Sequence, residues 1–228
     1  MHDSRIAQEV LDLAAERRGD RPQGLDGGRT ALVVIDLQNV FMLPGMPIEV
    51  PTAREIVPNV NRLAAAMREA GGTVAWVQMS TEGQAESWSV FFQDICTEEG
   101  LREMLPGSHG FELHAGLEVR EADLRIRKTR YSAFIQGSSD IDAQLRARGI
   151  DTVVIVGTLT NVCCESSARD AMMLNYRVVF VEDANAALSD AEHNAALTTI
   201  CRVFGEVVST DQAVAGRCGA REALAAAG

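Results

Sequence analysis

Basic residues are in short supply in this chain: 21 lysines and arginines stand against 32 acids over 228 residues, a formal net charge of −11. Nucleic acid and anionic membrane both need a basic face to neutralise phosphate, so neither is an expected partner. Long hydrophobic runs are missing as well. Nothing approaches the roughly 20 consecutive apolar residues of a bilayer span. The first residues, broken by Asp3, Glu9, Asp12 and Glu16, read as neither signal peptide nor anchor. Cysteine is sparse and odd in number, with Cys96, Cys163, Cys164, Cys201 and Cys218 at spacings that suit no disulfide framework and no zinc site. The expectation is a cytoplasmic protein with reduced thiols, acting on a small molecule.

What is present is core. With 46% hydrophobic and 23% charged residues, the chain has the composition of one sizeable globular domain. Residues 1–28 read as a helical arm, with Ile6, Val10 and Leu13 on one side, followed by a Gly/Pro-rich linker; the arm is expected on the surface or on a neighbouring subunit. Residues 29–228 read as a single domain. Apolar runs at Ala31 to Asp36, Thr73 to Met79, Leu124 to Arg127, Thr152 to Val156, Arg177 to Val181 and Glu206 to Val208 alternate with helical patterns. One such pattern, Ile56, Val60, Leu63 and Met67, stops at Gly71-Gly72. Near-continuous apolar strands between helices indicate a parallel sheet covered on both faces. The fold class is therefore α/β, a three-layer αβα sandwich around a parallel sheet of about six strands with Rossmann-like order.

In such sheets chemistry collects at the carboxyl ends of the strands. Asp36 ends the first strand and Lys128 the third, while Cys163 follows the fourth in Gly157-Thr158-Leu159-Thr160-Asn161-Val162-Cys163-Cys164-Glu165. A strand that turns tightly into a helix puts Cys163 near a helix N-terminus, where amides and dipole favour a thiolate. Acid, cation and thiol on one edge can run acyl transfer without histidine or metal. Each residue alone has a plainer reading: a turn cap, a solvated lysine, a small buried hydrophobe. Cys164 keeps that plainer reading, because it shares a core stripe with Ala168, Ala171 and Met172.

Taken together, Asp36-Leu37-Gln38-Asn39, Lys128-Thr129-Arg130-Tyr131-Ser132-Ala133-Phe134 and the stretch from Gly157 to Asp183 resemble the isochorismatase-like cysteine hydrolases, over roughly Thr30 to Gln212. The resemblance implies a catalytic triad of Asp36, Lys128 and Cys163. It implies a cis peptide at Thr158-Leu159 and an oxyanion hole built from the amides of Leu159 and Cys163. It further implies an amidohydrolase that cleaves a carbon–nitrogen bond in a small linear amide, of ureido or carbamoyl type, through a thioester. No cofactor is expected. The segment Ser80 to Trp88 holds none of the histidines that bind metal in nicotinamidases, and His109 and His114 come too late in the chain to replace them.

Gln38, Phe41, Trp88, Phe92, Tyr131, Phe134 and Asn161 are the candidates for contacting substrate. The long segment Thr81 to Gly116, helical around Ser87 to Ile95, reads as a lid or a subunit contact. A homo-oligomer, dimer or tetramer, is expected. Two other readings stay open: a vinyl ether hydrolase of the isochorismatase type, and, from another class, a non-catalytic homologue or a thiol redox protein using Cys163 and Cys164.

Overall fold

A computed structural model describes residues 1–19 and 24–216, so Cys218 and part of the linker lie outside it. Six strands form one sheet: β1 (Thr30–Ile35), β2 (Thr73–Met79), β3 (Leu124–Lys128), β4 (Thr152–Thr158), β5 (Arg177–Ala186) and β6 (Glu206–Val208). Their order is β3-β2-β1-β4-β5-β6 and every pairing is parallel. The helices are α1 (Gln8–Arg18), α2 (Asn39–Met42), α3 (Val57–Glu69), α4 (Glu98–Glu103), α5 (Ile141–Arg146), α6 (Glu165–Met173), α7 (Asp190–Thr199) and α8 (Thr210–Val214). Among the described residues no helix is long and apolar enough to cross a membrane.

Strand pleating divides the core in two, because successive side chains leave opposite faces. Ala31, Val33, Ile35, Val153, Ile155 and Phe180 pack with Val10 of α1, Ile141 and Leu145 of α5, Ala168 and Ala171 of α6 and Leu197 of α7. On the other face Leu32, Val34, Trp76, Val154, Val156 and Val179 meet Val60, Leu63, Ala64 and Met67 of α3 and Ala213 of α8. These are the three layers that the apolar runs imply.

The arm lies on the surface of its own chain: Val10 is buried and Ile6, Leu11 and Ala14 pack against the core beside it, whereas Leu13, expected on the same side, is exposed. The strand β5 also runs past its apolar part to Ala186, because the β4 register shifts between Ile155 and Gly157 and then pairs Gly157 with Asn185. Gly157 has φ 126°, and a Cβ there would sit 2.1 Å from the Ile35 carbonyl oxygen. Only glycine lets β4 bend so close to β1.

The order in which successive strands are added reverses between β1 and β4, which opens a crevice at their carboxyl ends. Asp36 and Cys163 flank that crevice in sequence, and β3 delivers Lys128 to the same edge.

Candidate active site

Lys128 is the centre of the constellation. Its Nζ lies 2.8 Å from Asp36 Oδ2 and 3.6 Å from Cys163 Sγ. It donates to the Arg130 carbonyl at 3.1 Å and rests 3.4 Å from Met79 Sδ. The three side chains are almost dry, with Lys128 at 0%, Asp36 at 1% and Cys163 at 7% exposure. The sequence-expected triad is thus assembled, with the ammonium between acid and thiol.

Asp36 leaves β1 in the left-handed region at φ 55°, its amide donating to Val77 O at 2.9 Å. A non-glycine residue there is uncommon and is tolerated by aspartate better than by bulkier types. The carboxylate meets Lys128 as an ion pair, since neither of its oxygens makes a hydrogen bond of normal geometry among the described residues. The Cys163 thiol and the Met79 amide adjoin the same carboxylate.

Burial and Lys128 act against each other on Asp36. Burial raises its pKa above the usual carboxylate value, with Lys128 the main opposing influence. For Lys128, burial favours the neutral amine, but Asp36 and Cys163 outweigh it and the cation is retained. Burial also pushes the Cys163 thiol up, with Lys128 again opposing. The helix-terminus argument for a resting thiolate is therefore corrected: the dry site holds a thiol next to a carboxylate that accepts protons readily. The cysteine also sits two residues before α6, in a π-type turn, Thr160–Cys164, rather than on a regular helix. Val162 and Cys164 amides both donate to the Leu159 carbonyl at 3.1 Å. The Thr158-Leu159 peptide is cis.

The remaining expected residues separate into three groups. Gln38 is fully buried and its amide is spent on the fold: it donates to Met79 O at 3.1 Å and Phe111 O at 3.2 Å and accepts from Met79 N at 2.6 Å. Phe134 is core, packed at 5.6 Å against Tyr176. Trp88, Phe92, Tyr131 and Phe41 gather in a satellite cluster around Val40, Met79, Phe91 and Met104. Asn161 Oδ1 is buried with no hydrogen-bond partner among the described residues, which leaves it a free acceptor two residues from Cys163.

Sequence reasoning missed Phe91, which stacks on Trp88 at 4.1 Å and meets Tyr131 edge-on at 5.7 Å. It also missed Arg130, whose guanidinium lies 5.2 Å over Trp88 and donates to Gln84 Oε1 at 2.8 Å and Ser87 Oγ at 3.1 Å. The Thr81–Gly116 segment therefore folds onto its own chain beside the site. The expected helix within it is a short π-type turn, Phe91–Ile95.

Cys163 and Cys164 are both free thiols, and Cys164 is wholly buried in the core. Among the described residues no group of three or more histidine, cysteine or acidic side chains could hold a metal ion.

Comparison with known proteins places the chain in a family. The chain is 33% identical to a ureidoacrylate amidohydrolase of Caulobacter vibrioides, over 83% of this chain and 91% of that one. It is 35% identical to a protein of Arabidopsis thaliana named "Probable inactive nicotinamidase", over 73% and 85% of the two chains. A cysteine hydrolase structure from Pseudomonas syringae superposes with a TM-score of 0.73 at 29% identity, covering 86% of this chain and 97% of its own. The family model described as the Isochorismatase domain matches residues 30–212, and the chain belongs to that family of hydrolases.

Proposed function

We propose that the protein is an amidohydrolase that cleaves the carbon–nitrogen bond of a small ureido or carbamoyl compound through a thioester on Cys163. One observation carries the reading: a buried ammonium, Lys128, lies within 2.8 Å of the Asp36 carboxylate and 3.6 Å of the Cys163 sulfur. The amidohydrolase relative supports the ureido class.

The order of events follows from the charges. Asp36, its pKa raised by burial, takes the thiol proton as sulfur attacks the carbonyl carbon. Lys128 keeps the new thiolate charge compensated during that transfer. Oxygen of the tetrahedral intermediate is met by the amides of Leu159 and Cys163, donors worth about 3 kcal/mol each when well placed. The carbon–nitrogen bond then breaks and Asp36 returns its proton to the departing nitrogen, as ammonia or an amine. Water attacks the thioester, losing a proton to Asp36 that passes back to sulfur, so that the free thiol and the acid product are released.

A screen of ammonia release over ureido acids, carbamoyl amino acids, biuret and nicotinamide, with pyruvate release followed for the vinyl ether isochorismate, tests the class. Turnover of a ureido or carbamoyl compound that vanishes in Cys163→Ala is the expected result. Activity on isochorismate alone, surviving that substitution, would overturn it. The relative named as inactive defines the other outcome, a folded triad that turns over nothing.

A further inference from the structure

Behind the nucleophile turn lies a buried polar chain that no step above uses. Thr160 directly follows the Thr158-Leu159 pair and opens the turn that ends at Cys163 and Cys164. Its Oγ1 is hydrogen-bonded at 2.9 Å to Nδ1 of His193, on α7. Both residues are wholly buried. The opposite ring nitrogen, Nε2, is 3.2 Å from Ser4 Oγ, and the Glu182 carbonyl faces the same ring.

The ring is held from the other side by the first residues of the chain. His2 stacks on His193 with centroids 4.5 Å apart and planes 19° apart. His2 Nε2 accepts from the Ala187 amide at 2.9 Å, so its proton is on Nδ1, which reaches Asp190 Oδ1 at 2.7 Å. Arg5 N donates to Asn194 Oδ1 at 2.6 Å, and Asn194 Nδ2 donates to Asp3 O at 2.9 Å. Residues 2–5 thus strap over the start of α7, contacting Ala187, Asp190, His193 and Asn194.

The geometry points to His193 as a positioning residue for the nucleophile turn, set in place by the strap of residues 2–5 and acting through the Thr160 hydroxyl. The inference rests on the amidohydrolase reading for its kinetic form. The physical reason is accuracy: Leu159 and Cys163 must hold their amides where an oxyanion forms, and a turn that drifts by about 1 Å can cost on the order of a hundredfold in rate. A buried, neutral imidazole suits the task. Burial and the neighbouring His2 hold its pKa at about 4, so it keeps one donor and one acceptor at neutral pH.

The test uses Thr160→Val, His193→Phe, His193→Asn and a chain lacking residues 2–5. Thr160→Val and His193→Phe are each expected to lower kcat about tenfold with KM changed less than about threefold, the scale of one lost hydrogen bond in a reacting complex. Their double variant is expected to be no slower than either alone. His193→Asn, whose amide can reach Thr160, is expected to recover most of the rate. Removing residues 2–5 is expected to slow the parent several-fold and the Thr160→Val enzyme not at all.

Losses that multiply in the double variant, or a truncation equally harmful with and without the Thr160 hydroxyl, would overturn the inference. If His193→Phe fails to fold, the truncation measured with and without Thr160→Val decides alone. If the parent hydrolyses no amide, the proposed function fails, and the rate of Cys163 alkylation at alkaline pH replaces kcat: the same non-additive pattern supports the strap, and additivity refutes it.

Discussion

Asp36 and Asp123 are each paired with a cation out of the bulk solvent, and they are built in opposite ways. Asp123 is saturated: it receives Arg68 Nε at 3.1 Å and Nη2 at 2.6 Å, Trp76 Nε1 at 2.8 Å and the Arg120 amide at 2.8 Å. Burial raises its pKa, but those four donors and the Arg68 charge prevail and hold it below the usual carboxylate range. Asp36 is drier still, has Lys128 at 2.8 Å and no well-formed hydrogen bond, and its pKa is raised. The same residue type favours its charged form where its acceptors are filled and holds a proton more readily where they are left open.

Removing the reacting atom breaks the comparison most completely. Cys163→Ala is expected to cut turnover by at least about a thousandfold while the melting temperature stays within a few degrees of the parent, because Cys163 is a small core-facing residue. Next come the two acids. Asp36→Asn is expected to lower kcat by about 10²- to 10⁴-fold, the range of a lost general base. Asp123→Asn is expected to leave kcat within about twofold and instead to cost stability, about 2 to 4 kcal/mol in denaturant unfolding, because Arg68 would keep a buried charge with a neutral partner.

Acid titration separates them further. Asp36 binds its proton above the ordinary value of 3.8, so kcat/KM is expected to fall with decreasing pH while the protein is still folded. Asp123, held below 3.8, contributes stability that is present above that pH and lost only as pH falls through its lower folded value. A coincident loss of activity and fold would erase the distinction. His193 adds a milder effect of known sign: its folded pKa of about 4 lies below 6.5, so protons favour the unfolded chain and stability declines as pH falls from about 6.5 to about 4. The melting temperature of His193→Asn is expected to depend less on pH across that window. The smallest effect belongs to the Thr81–Gly116 segment. Trp88→Leu, which removes the ring under Arg130, is expected to raise KM a few-fold with little change in kcat.

The contrast between the two acids also marks what a sequence can reveal. Asp36 and Lys128 were legible because each ends a strand and Cys163 because it follows one, and the parallel sheet followed from six such strands. Gln38 and Phe134 belong to the same motifs, and only the geometry shows Gln38 clamping Met79 and Phe134 packed on Tyr176. On α1 the expected Val10 faces the core, but Leu11 and Ala14 join it while Leu13 is exposed, because a short, weakly patterned helix admits more than one apolar stripe. Phe91 and Phe92 are adjacent aromatics in a π-type turn, where helical spacing does not say which one faces inward. The His193 contact with Thr160 spans 33 positions, a separation to which local patterning is blind. Its one signal was a histidine among the buried Ala196 and Leu197 positions of α7.

The central claim is that the open carboxylate Asp36 deprotonates Cys163 so that sulfur carries the acyl group. Acid-quenched mass spectrometry of the enzyme during turnover of a ureido substrate tests it most directly. The account predicts a covalent adduct that maps to Cys163, accumulates in the parent, and fails to form in Asp36→Asn. Steady turnover with no adduct on Cys163 at any quench time, matched by an active Cys163→Ala enzyme, would contradict it.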